Sequence, residues 1–368
     1  CIVVRLQVGR FVPKDAALCR RATTKRQRRE SVYRSPRVGV QSSVHMHRGE
    51  KNRRAVASVT CGAQLCPMRR SAGLLTLFAG ALLAPTPRAD AQRGPRTPSA
   101  VTRAEYIFTR APFRSAHAST IAETRTGLVA AWFGGQAEGA RDISIWLSRR
   151  RAGRWSVPVR VATGVQPDGK RYPCWNPVLF EFTRGELTLF YKVGPNPREW
   201  WGMSRVSRDG GATWGPARRL PAGILGPIKN KPVRLSDGIV LSPGSTESAA
   251  TPTRWRVHIE RTAANGRTWT VSAPPADSTI DAIQPTILTH RGTWLQALVR
   301  SQSGRILQSW SDNRGVSWTT LEPTTLPNPN AGIDAVTLKD GRFLLVYNHA
   351  AEGRSPLNMA VSSNGRLW

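Results

Sequence analysis

Short apolar runs alternate with polar turns along the second half of the chain, and the pattern repeats. Five runs share one form, in which a polar residue precedes a small residue or proline and a β-branched run. The five polar residues lie 50 to 59 residues apart: His117, Asn176, Lys231, Gln284 and Asp334. A glycine turn and a second apolar run follow each one, as in two antiparallel strands joined by a hairpin. The pattern therefore predicts five successive sheets that are built alike.

A tryptophan closes a polar turn once in each repeat. The five tryptophans are Trp155, Trp214, Trp269, Trp318 and Trp368. The clearest turn, SRDGGATW, runs from Ser207 to Trp214. In such a turn, aspartate accepts hydrogen bonds from backbone N–H groups, glycine supplies a positive φ, and tryptophan buries a large apolar surface. We therefore assign Asp209 a structural role rather than a catalytic or calcium-binding one.

The spacing of these turns predicts the fold. A period near 50 residues, with strand-like sequence between the tryptophans, is typical of propeller blades. We predict an all-β fold, a β-propeller of six blades, with seven blades as the alternative. The sequence stops at Trp368, inside a repeat, so we expect the propeller at residues 105–368 to be truncated at its C-terminus.

The same geometry predicts a site. In a propeller the innermost strands all begin at one face, around the central axis. The five polar residues should therefore ring that axis, with the tryptophan turns on the opposite face. The second strands end behind them, at Tyr191, Lys192, Arg300, Tyr347, Asn348 and His349. Converging polar side chains are costly in a core but suit a pocket. The alternative is that they only cap strands along a water-filled channel.

The first hundred residues have a different composition. Residues 1–67 are basic and lack apolar periodicity, whereas residues 68–91 combine Met68-Arg69-Arg70, a short apolar run and Ala89-Asp90-Ala91. This is the pattern of a secretory signal peptide, and the apolar run is shorter than the ~20 residues of a membrane span. We predict a signal peptide at 68–91, a linker at 92–104, and a secreted or periplasmic protein. Residues 1–67 are expected to be upstream, non-native sequence or, alternatively, a disordered basic arm for nucleic acid.

Charge and cysteine content restrict the partners. The chain has 54 Lys and Arg against 23 Asp and Glu, a formal net charge of +31. The excess persists beyond residue 91, which favours an anionic partner such as an acidic glycan. The sequence holds no nucleic-acid recognition motif. Cys174 is the only cysteine beyond residue 91, and no Cys/His spacing or cofactor motif is present, so we expect neither a metal nor a cofactor.

Several long segments resemble one known group of proteins. They read SAHASTIAET, FGGQAEGARDISIWLSRR, CWNPVLF, FYKVGP, GPIKNKPV, IQPTIL and LPNPNAGIDAVTLKDGRFLLVYNH, and the tryptophan turns resemble Asp boxes. From about Glu105 to Trp368 the chain resembles the sialidase superfamily, in the branch of BNR-repeat, Asp-box sialidase-like exo-enzymes. The resemblance implies a six- or seven-bladed propeller, secretion, and action on a glycan, often one with an acidic sugar.

The resemblance also implies roles for particular residues. Sialidases hold the substrate carboxylate with three arginines, attack with a tyrosine that a glutamate assists, and use an aspartate as acid/base. By resemblance, Asp142 takes the acid/base position, Arg300 an arginine position and Tyr347 the nucleophile position. His117 stands where the first arginine is expected, three residues after Arg114. The arginine triad is not complete in this sequence.

A hydrolase of sialidase type is the first functional hypothesis. It would release a terminal acidic sugar from a glycan, with Asp142 as the acid and Tyr347 as the nucleophile. Arg300 and Lys231 would hold the carboxylate. The other expected substrate contacts are Arg114, Asn176, Tyr191, Lys192, Gln284, Asp334, Asn348 and His349.

Two other functions stay open. A polysaccharide lyase would cleave next to a uronate by β-elimination, with His117 as the base, because a histidine titrates near neutral pH. Lys231, Arg300 or Lys192 would neutralise the uronate carboxylate and make the neighbouring proton more acidic. A non-catalytic propeller would only bind the glycan, since the fold alone does not fix function.

Overall fold

The computed structural model describes residues 2–6 and 101–368, with gaps at 264–265, 267, 276 and 278. The predicted signal peptide at 68–91 lies outside these residues, as do most of segment 1–67 and of the linker at 92–104. The described residues form strands and turns. Within them, no helix is long and apolar enough to cross a membrane.

Five propeller sheets and one small ribbon account for the described strands, and every pair of strands is antiparallel. In the ribbon, β1 (Ile2–Leu6) pairs with β2 (Val101–Tyr106). The first blade contains β3 (Ser115–Thr124), β4 (Gly127–Gly135), β5 (Ser144–Arg151) and β6 (Arg154–Trp155), and β7 (Val159–Ala162) also pairs with β5. The second contains β8 (Cys174–Thr183), β9 (Glu186–Val193), β10 (Trp201–Ser207) and β11 (Arg218–Arg219).

The last three blades have the same consecutive order. The third contains β12 (Val233–Arg234), β13 (Val240–Glu247), β14 (Trp255–Thr262) and β15 (Trp269–Ser272). The fourth contains β16 (Ala282–Thr289), β17 (Leu295–Ser301), β18 (Arg305–Ser311) and β19 (Glu322–Pro327). The fifth contains β20 (Asp334–Thr337), β21 (Phe343–Tyr347) and β22 (Asn358–Ser362).

The predicted all-β propeller with one sheet per repeat is confirmed. The number of blades differs from the prediction: the described residues form five, rather than six or seven. The reason is that each blade takes one repeat of about 50 residues, and the five repeats occupy all the described sequence from Ser115 onward.

Apolar clusters lie between neighbouring blades. One cluster joins β4 and β5 to β8 and β9, a second joins β8 and β9 to β13, a third joins the third and fourth blades, and a fourth joins the fourth and fifth. The repeat tryptophans are distributed among them. Trp214, Trp269, Trp318 and Trp368 each pack in a different one of these clusters, and Trp155 packs in a fifth, within the first blade. The tryptophans therefore fill the spaces beside the sheets, as predicted.

The polar turn at Ser207–Trp214 has the structural role that the sequence predicted. Asp209 Oδ1 accepts hydrogen bonds from the backbone N–H groups of Ala212 and Thr213, each at 2.9 Å, and the Thr213 hydroxyl donates to Asp209 Oδ2 at 2.6 Å. The Thr213 groups, and then the Ser207 hydroxyl, hold the pKa of Asp209 well below its usual range. A Cβ on Gly210 would lie 2.3 Å from Thr126 Oγ1, in the β3–β4 hairpin. The turn thus sits at the face opposite the starts of the inner strands.

We predict that Asp209→Ala lowers the urea midpoint of unfolding, because four donors lose their acceptor: the Ser207 and Thr213 hydroxyls and the Ala212 and Thr213 N–H groups. Asp209→Asn should cost much less, since Asn313 fills the same position in a later turn and accepts the Ser317 N–H at 3.0 Å. A carboxyl with a depressed pKa contributes stability above about pH 4 and loses it as the pH falls. The difference between wild type and Asp209→Asn should therefore shrink in acid. Equal midpoints for Asp209→Ala and wild type at pH 7 would contradict the structural role.

Candidate functional site

Three inner strands carry the same bulge, and it corrects the alignment of the predicted site. Ala118, Asn176 and Gln284 have φ values of 52°, 38° and 57°, and each lies in a break of the pairing with the next strand. His117 and Trp175 both pair just before the break. His117 therefore does not occupy the position of Asn176 and Gln284 but the one before it. The equivalence predicted for His117 was wrong by one residue.

The third, fourth and fifth blades meet at a charged pair. Lys231 Nζ donates to both carboxylate oxygens of Asp334, at 2.8 and 2.9 Å, and to Ala335 O at 3.2 Å. The Thr286 hydroxyl donates to Asp334 Oδ1 at 3.1 Å. Burial alone would raise the pKa of Asp334, but Lys231 and the nearby Lys229 outweigh it and keep the pKa below its usual value. Two of the five predicted residues are thus in direct contact.

The loop before β12 brings a third predicted residue into the same network. Asn230 Nδ2 donates to the backbone oxygens of Gln284 and Pro285, at 2.9 and 3.0 Å. Lys229 Nζ donates to Asn230 Oδ1 at 2.9 Å and to Ile333 O. Burial lowers the pKa of Lys229 to about 8, although the negative charge of Asp334 opposes this shift. Lys231, Gln284 and Asp334 are therefore held together by one loop.

Arg300 lies at the edge of this network in a fixed orientation. Its Nε donates to Asn330 Oδ1 at 2.8 Å and its Nη1 to Gln284 Oε1 at 3.1 Å. The guanidinium lies over the Trp255 ring, 5.4 Å from the centroid. Burial and the positive charge of Arg354 lower the pKa of Arg300 to about 10. The side chain is thus a cation held in place by neutral partners.

Three charged residues around Arg300 were missed by the sequence reasoning. Arg354 donates to Asn330 O at 3.3 Å. Burial raises the pKa of Glu247, while the positive charges of Arg300 and Arg198 oppose the rise. Glu247 could have been found, because it ends β13 as the other second strands end at this face. Arg198 and Arg354 lie in loops outside the repeated pattern, so no spacing pointed to them.

The first blade places its candidates next to a row of aromatic rings. His117 Nδ1 and Glu138 Oε2 are 3.0 Å apart, and both side chains are about half exposed. The His117 ring contacts Phe133, with centroids 5.4 Å apart. Phe133 contacts Trp175 and Trp175 contacts Trp200, each with centroids 6.1 Å apart. Trp200 follows the loop that carries Arg198, so the row leads from His117 towards the Arg300 side of the face.

Asp142 and Arg114 both lie beside Gly135, at the end of β4. Asp142 Oδ2 accepts the Gln136 N–H at 2.9 Å, and the Arg114 N–H donates to Gly135 O at 3.1 Å. The Asp142 oxygens would be 3.0 Å from a Cβ at Gly135. The Arg114 side chain is exposed and Asp142 is partly exposed, so a ligand could reach both beside the β4–β5 loop, which also carries Glu138.

Three predicted contact residues are buried instead. Tyr191 is packed in the cluster between the first two blades, where burial raises the pKa of its hydroxyl. Asn348 donates to Pro356 O at 2.8 Å. Lys192 has no exposed surface, donates to Pro227 O, and has a pKa that burial lowers to about 7, against the opposing charge of Glu260. Packing and hydrogen bonds inside the protein thus hold these three side chains, for which the sequence predicted substrate contacts.

Glu260 completes the support of the loop that carries Lys229, Asn230 and Lys231. It is fully buried, and its two carboxylate oxygens accept the backbone N–H groups of Leu225 and Gly226, each at 2.7 Å. The tip of the loop is thus fixed from below by one buried carboxylate and one buried amine. Among the described residues, no cluster of His, Cys, Asp and Glu could hold a metal ion.

We predict that Lys192 makes stability rise with pH. In the unfolded chain the lysine keeps its proton up to about pH 10, whereas in the folded chain it loses the proton near pH 7. Between these pH values the unfolded state therefore binds more protons than the folded state. The free energy of unfolding of wild type, relative to Lys192→Met, should increase from pH 7 to pH 9, by up to ~1.4 kcal/mol per pH unit. Urea titrations at each pH measure it.

The matched control is Lys339→Met, which removes an exposed lysine in the turn between β20 and β21. Its difference from wild type should not change with pH. Parallel stability curves for wild type and Lys192→Met would show that Lys192 stays protonated in the fold.

Comparison with known proteins agrees with this architecture. Residues 126–368 match the family model described as BNR repeat-like domain. No curated protein matches the sequence. Among solved structures, a protein of unknown function from Dyadobacter fermentans DSM 18053 is similar, with a TM-score of 0.55 and 16% identity over 67% of this chain and 78% of that one.

Two sialidase structures are also similar. The Hadza microbial sialidase Hz136 has a TM-score of 0.57 and 16% identity, over 68% of this chain and 56% of that one. The intramolecular trans-sialidase from Ruminococcus gnavus has a TM-score of 0.54 and 12% identity, over 69% of this chain and 82% of that one. The match thus spans less than two thirds of Hz136, and at these identities the likeness concerns the fold. Because the family model covers most of its length, the chain belongs to the BNR repeat-like domain family.

Proposed function

We propose that this protein is a sialidase-type exo-glycosidase that hydrolyses a terminal acidic sugar from a glycan. The observation that carries the proposal is the setting of Arg300. Gln284 and Asn330 occupy its Nη1 and Nε, and in the hydrogen bonds of the described residues its Nη2 donates to no acceptor. A guanidinium that is oriented by neutral partners and stacked on Trp255 is ready to take a carboxylate.

The other cations support the same assignment. Arg354 and Arg300 both donate hydrogen bonds to Asn330. Arg198, in a loop of the second blade, is close enough for its positive charge to oppose the rise in the pKa of Glu247. Lys231, which the sequence placed on the substrate carboxylate, already pairs with Asp334. We therefore give the carboxylate to Arg300, with Arg198 and Arg354 beside it, and give Lys231 the task of fixing the inner strands.

The chemistry of the proposal uses one proton donor and one nucleophile. Asp142, oriented by the Gln136 N–H, would protonate the oxygen of the departing group. Tyr347 would attack the anomeric carbon, and water would release the sugar in a second step. The aromatic row from Phe133 to Trp200 packs beneath the face, since Phe133 and Trp175 are buried, and it supports the first and second blades there. A secreted protein, as residues 68–91 predict, would meet such glycans outside the cell.

We predict that Arg300→Met lowers kcat/KM on a fluorogenic sialoside by roughly 10- to 100-fold, mainly through KM, because a charge-assisted hydrogen bond contributes about 1.5–3 kcal/mol. Arg300→Lys should lose part of this activity, since an ammonium cannot reproduce the planar guanidinium. Arg305→Met removes an exposed arginine of the same blade that donates to Thr325 O, and should leave the rate unchanged. Equal rates for Arg300→Met and Arg305→Met would remove Arg300 from the site.

A uronate lyase is the second candidate, and the His117–Glu138 pair favours it. A carboxylate 3.0 Å from Nδ1 orients the imidazole, as a general base requires. The half-exposed ring lies beside Phe133 and is open to a ligand.

We predict that, if the protein is a lyase, incubation with an oligouronate yields an unsaturated product with ultraviolet absorbance. His117→Ala should then slow the reaction roughly 10²–10⁴-fold, and Glu138→Gln should slow it less. Release of free sialic acid without an unsaturated product would identify the hydrolase. Binding of either glycan with no product after long incubation would leave only a glycan-binding propeller.

A further inference from the structure

Tyr347 and His349 form a hydrogen-bonded pair at the end of β21. The Tyr347 hydroxyl and His349 Nδ1 are in short hydrogen-bond contact, and the two rings meet edge to face with centroids 5.5 Å apart. The two residues are separated by one position on an extended segment, so both side chains leave the same side of the strand. Among the described residues, His349 is the only hydrogen-bond partner of the phenol.

The two side chains differ in exposure. Tyr347 is 4% exposed, and its ring packs in the cluster between the fourth and fifth blades. His349 is exposed. Burial raises the pKa of the Tyr347 phenol, so on its own the phenol is a poor nucleophile. It needs an adjacent group to accept its proton, as other hydroxyl nucleophiles do.

The backbone around the pair is anchored. The His349 N–H donates to Asn358 Oδ1 at 3.0 Å, and Asn348 holds Pro356 O. The same loop carries Arg354 back to Asn330, which also binds Arg300. The loop that follows the pair therefore leads to the cations to which we assign the substrate carboxylate. Glu247, at the end of β13, interacts with the charges of Arg300 and Arg198 and with the Trp255 side chain.

We propose that His349 is the base that activates Tyr347, in the place that a glutamate would take. The inference rests on the proposed hydrolysis. In the first step the Tyr347 oxygen bonds to the anomeric carbon, its proton passes to His349 Nδ1, and the departing oxygen leaves with a proton from Asp142. In the second step water adds to the anomeric carbon and gives its proton to Asp142, while the phenolate leaves and takes its proton back from His349. Both groups return to their starting state.

Chemical rescue tests the role of His349. His349→Ala should lower kcat on a fluorogenic sialoside roughly 10²–10⁴-fold, and imidazole in the buffer should restore part of it, because the position is open to solvent. Tyr347→Phe should lose activity that imidazole does not restore. Unchanged kcat in His349→Ala, or a loss that imidazole cannot repair, would overturn the proposal.

A measurement without substrate separates this inference from the proposed function. In NMR spectra of protein labelled at the phenolic carbon of tyrosine, the resonance of Tyr347 is identified as the one that is missing in Tyr347→Phe. In wild type it should shift with pH in step with the His349 ring, and in His349→Ala that step should vanish. A Tyr347 signal that ignores the titration of His349 would overturn the pair even in an active enzyme. A coupled titration in a protein that releases no sugar would leave the pair standing but refute the hydrolysis, and with it the role of His349 as the base.

Discussion

A buried carboxyl group and a buried amine hold the loop on which the centre of this face depends. Glu260 and Lys192 are both fully buried, and each binds the backbone of the same short segment, at Leu225 and Gly226 for the carboxylate and at Pro227 for the amine. Burying charges costs free energy that their attraction rarely returns in full. What the arrangement provides here is position, since the segment leads directly to Lys229, Asn230 and Lys231.

From that loop the order of the inner strands follows. Asn230 ties the loop to the fourth blade at Gln284 and Pro285, and Lys231 ties it to the fifth at Asp334. Gln284 in turn orients Arg300. The lysines bind other protein groups in these contacts, because a compact ammonium with three donors can bind several oxygens at once. The arginine keeps a free edge, since its planar group offers more donors than Gln284 and Asn330 occupy.

The sequence was sufficient for the propeller and its repeats, although not for the number of blades, because the residues that mark each repeat have strict local requirements. Glycine at the hairpins and tryptophan after the polar turns can be read without knowing any neighbour. The site was harder, because register is decided by bulges. The positive-φ residue of the bulge is Ala118 in the first blade and Asn176 in the second, so His117 aligns with Trp175, and nothing in the local sequence marks this. Burial was also not predictable: Lys192 and Tyr191 end a second strand as Arg300 does, but the first blade packs against Tyr191 and the loop before the third blade covers Lys192. Arg198 and Arg354 lie in loops without a period.

The placement of the apolar clusters has a consequence for how this protein unfolds. The clusters at Trp214, Trp269, Trp318 and Trp368 are each shared by two adjacent sheets, so the core lies in the seams rather than in the blades. A single sheet removed from its neighbours would lose half of two cores and keep little of its own. The cooperative unit of unfolding is therefore a pair of neighbouring blades with the cluster between them. A domain boundary placed between two sheets would pass through the hydrophobic core of the protein.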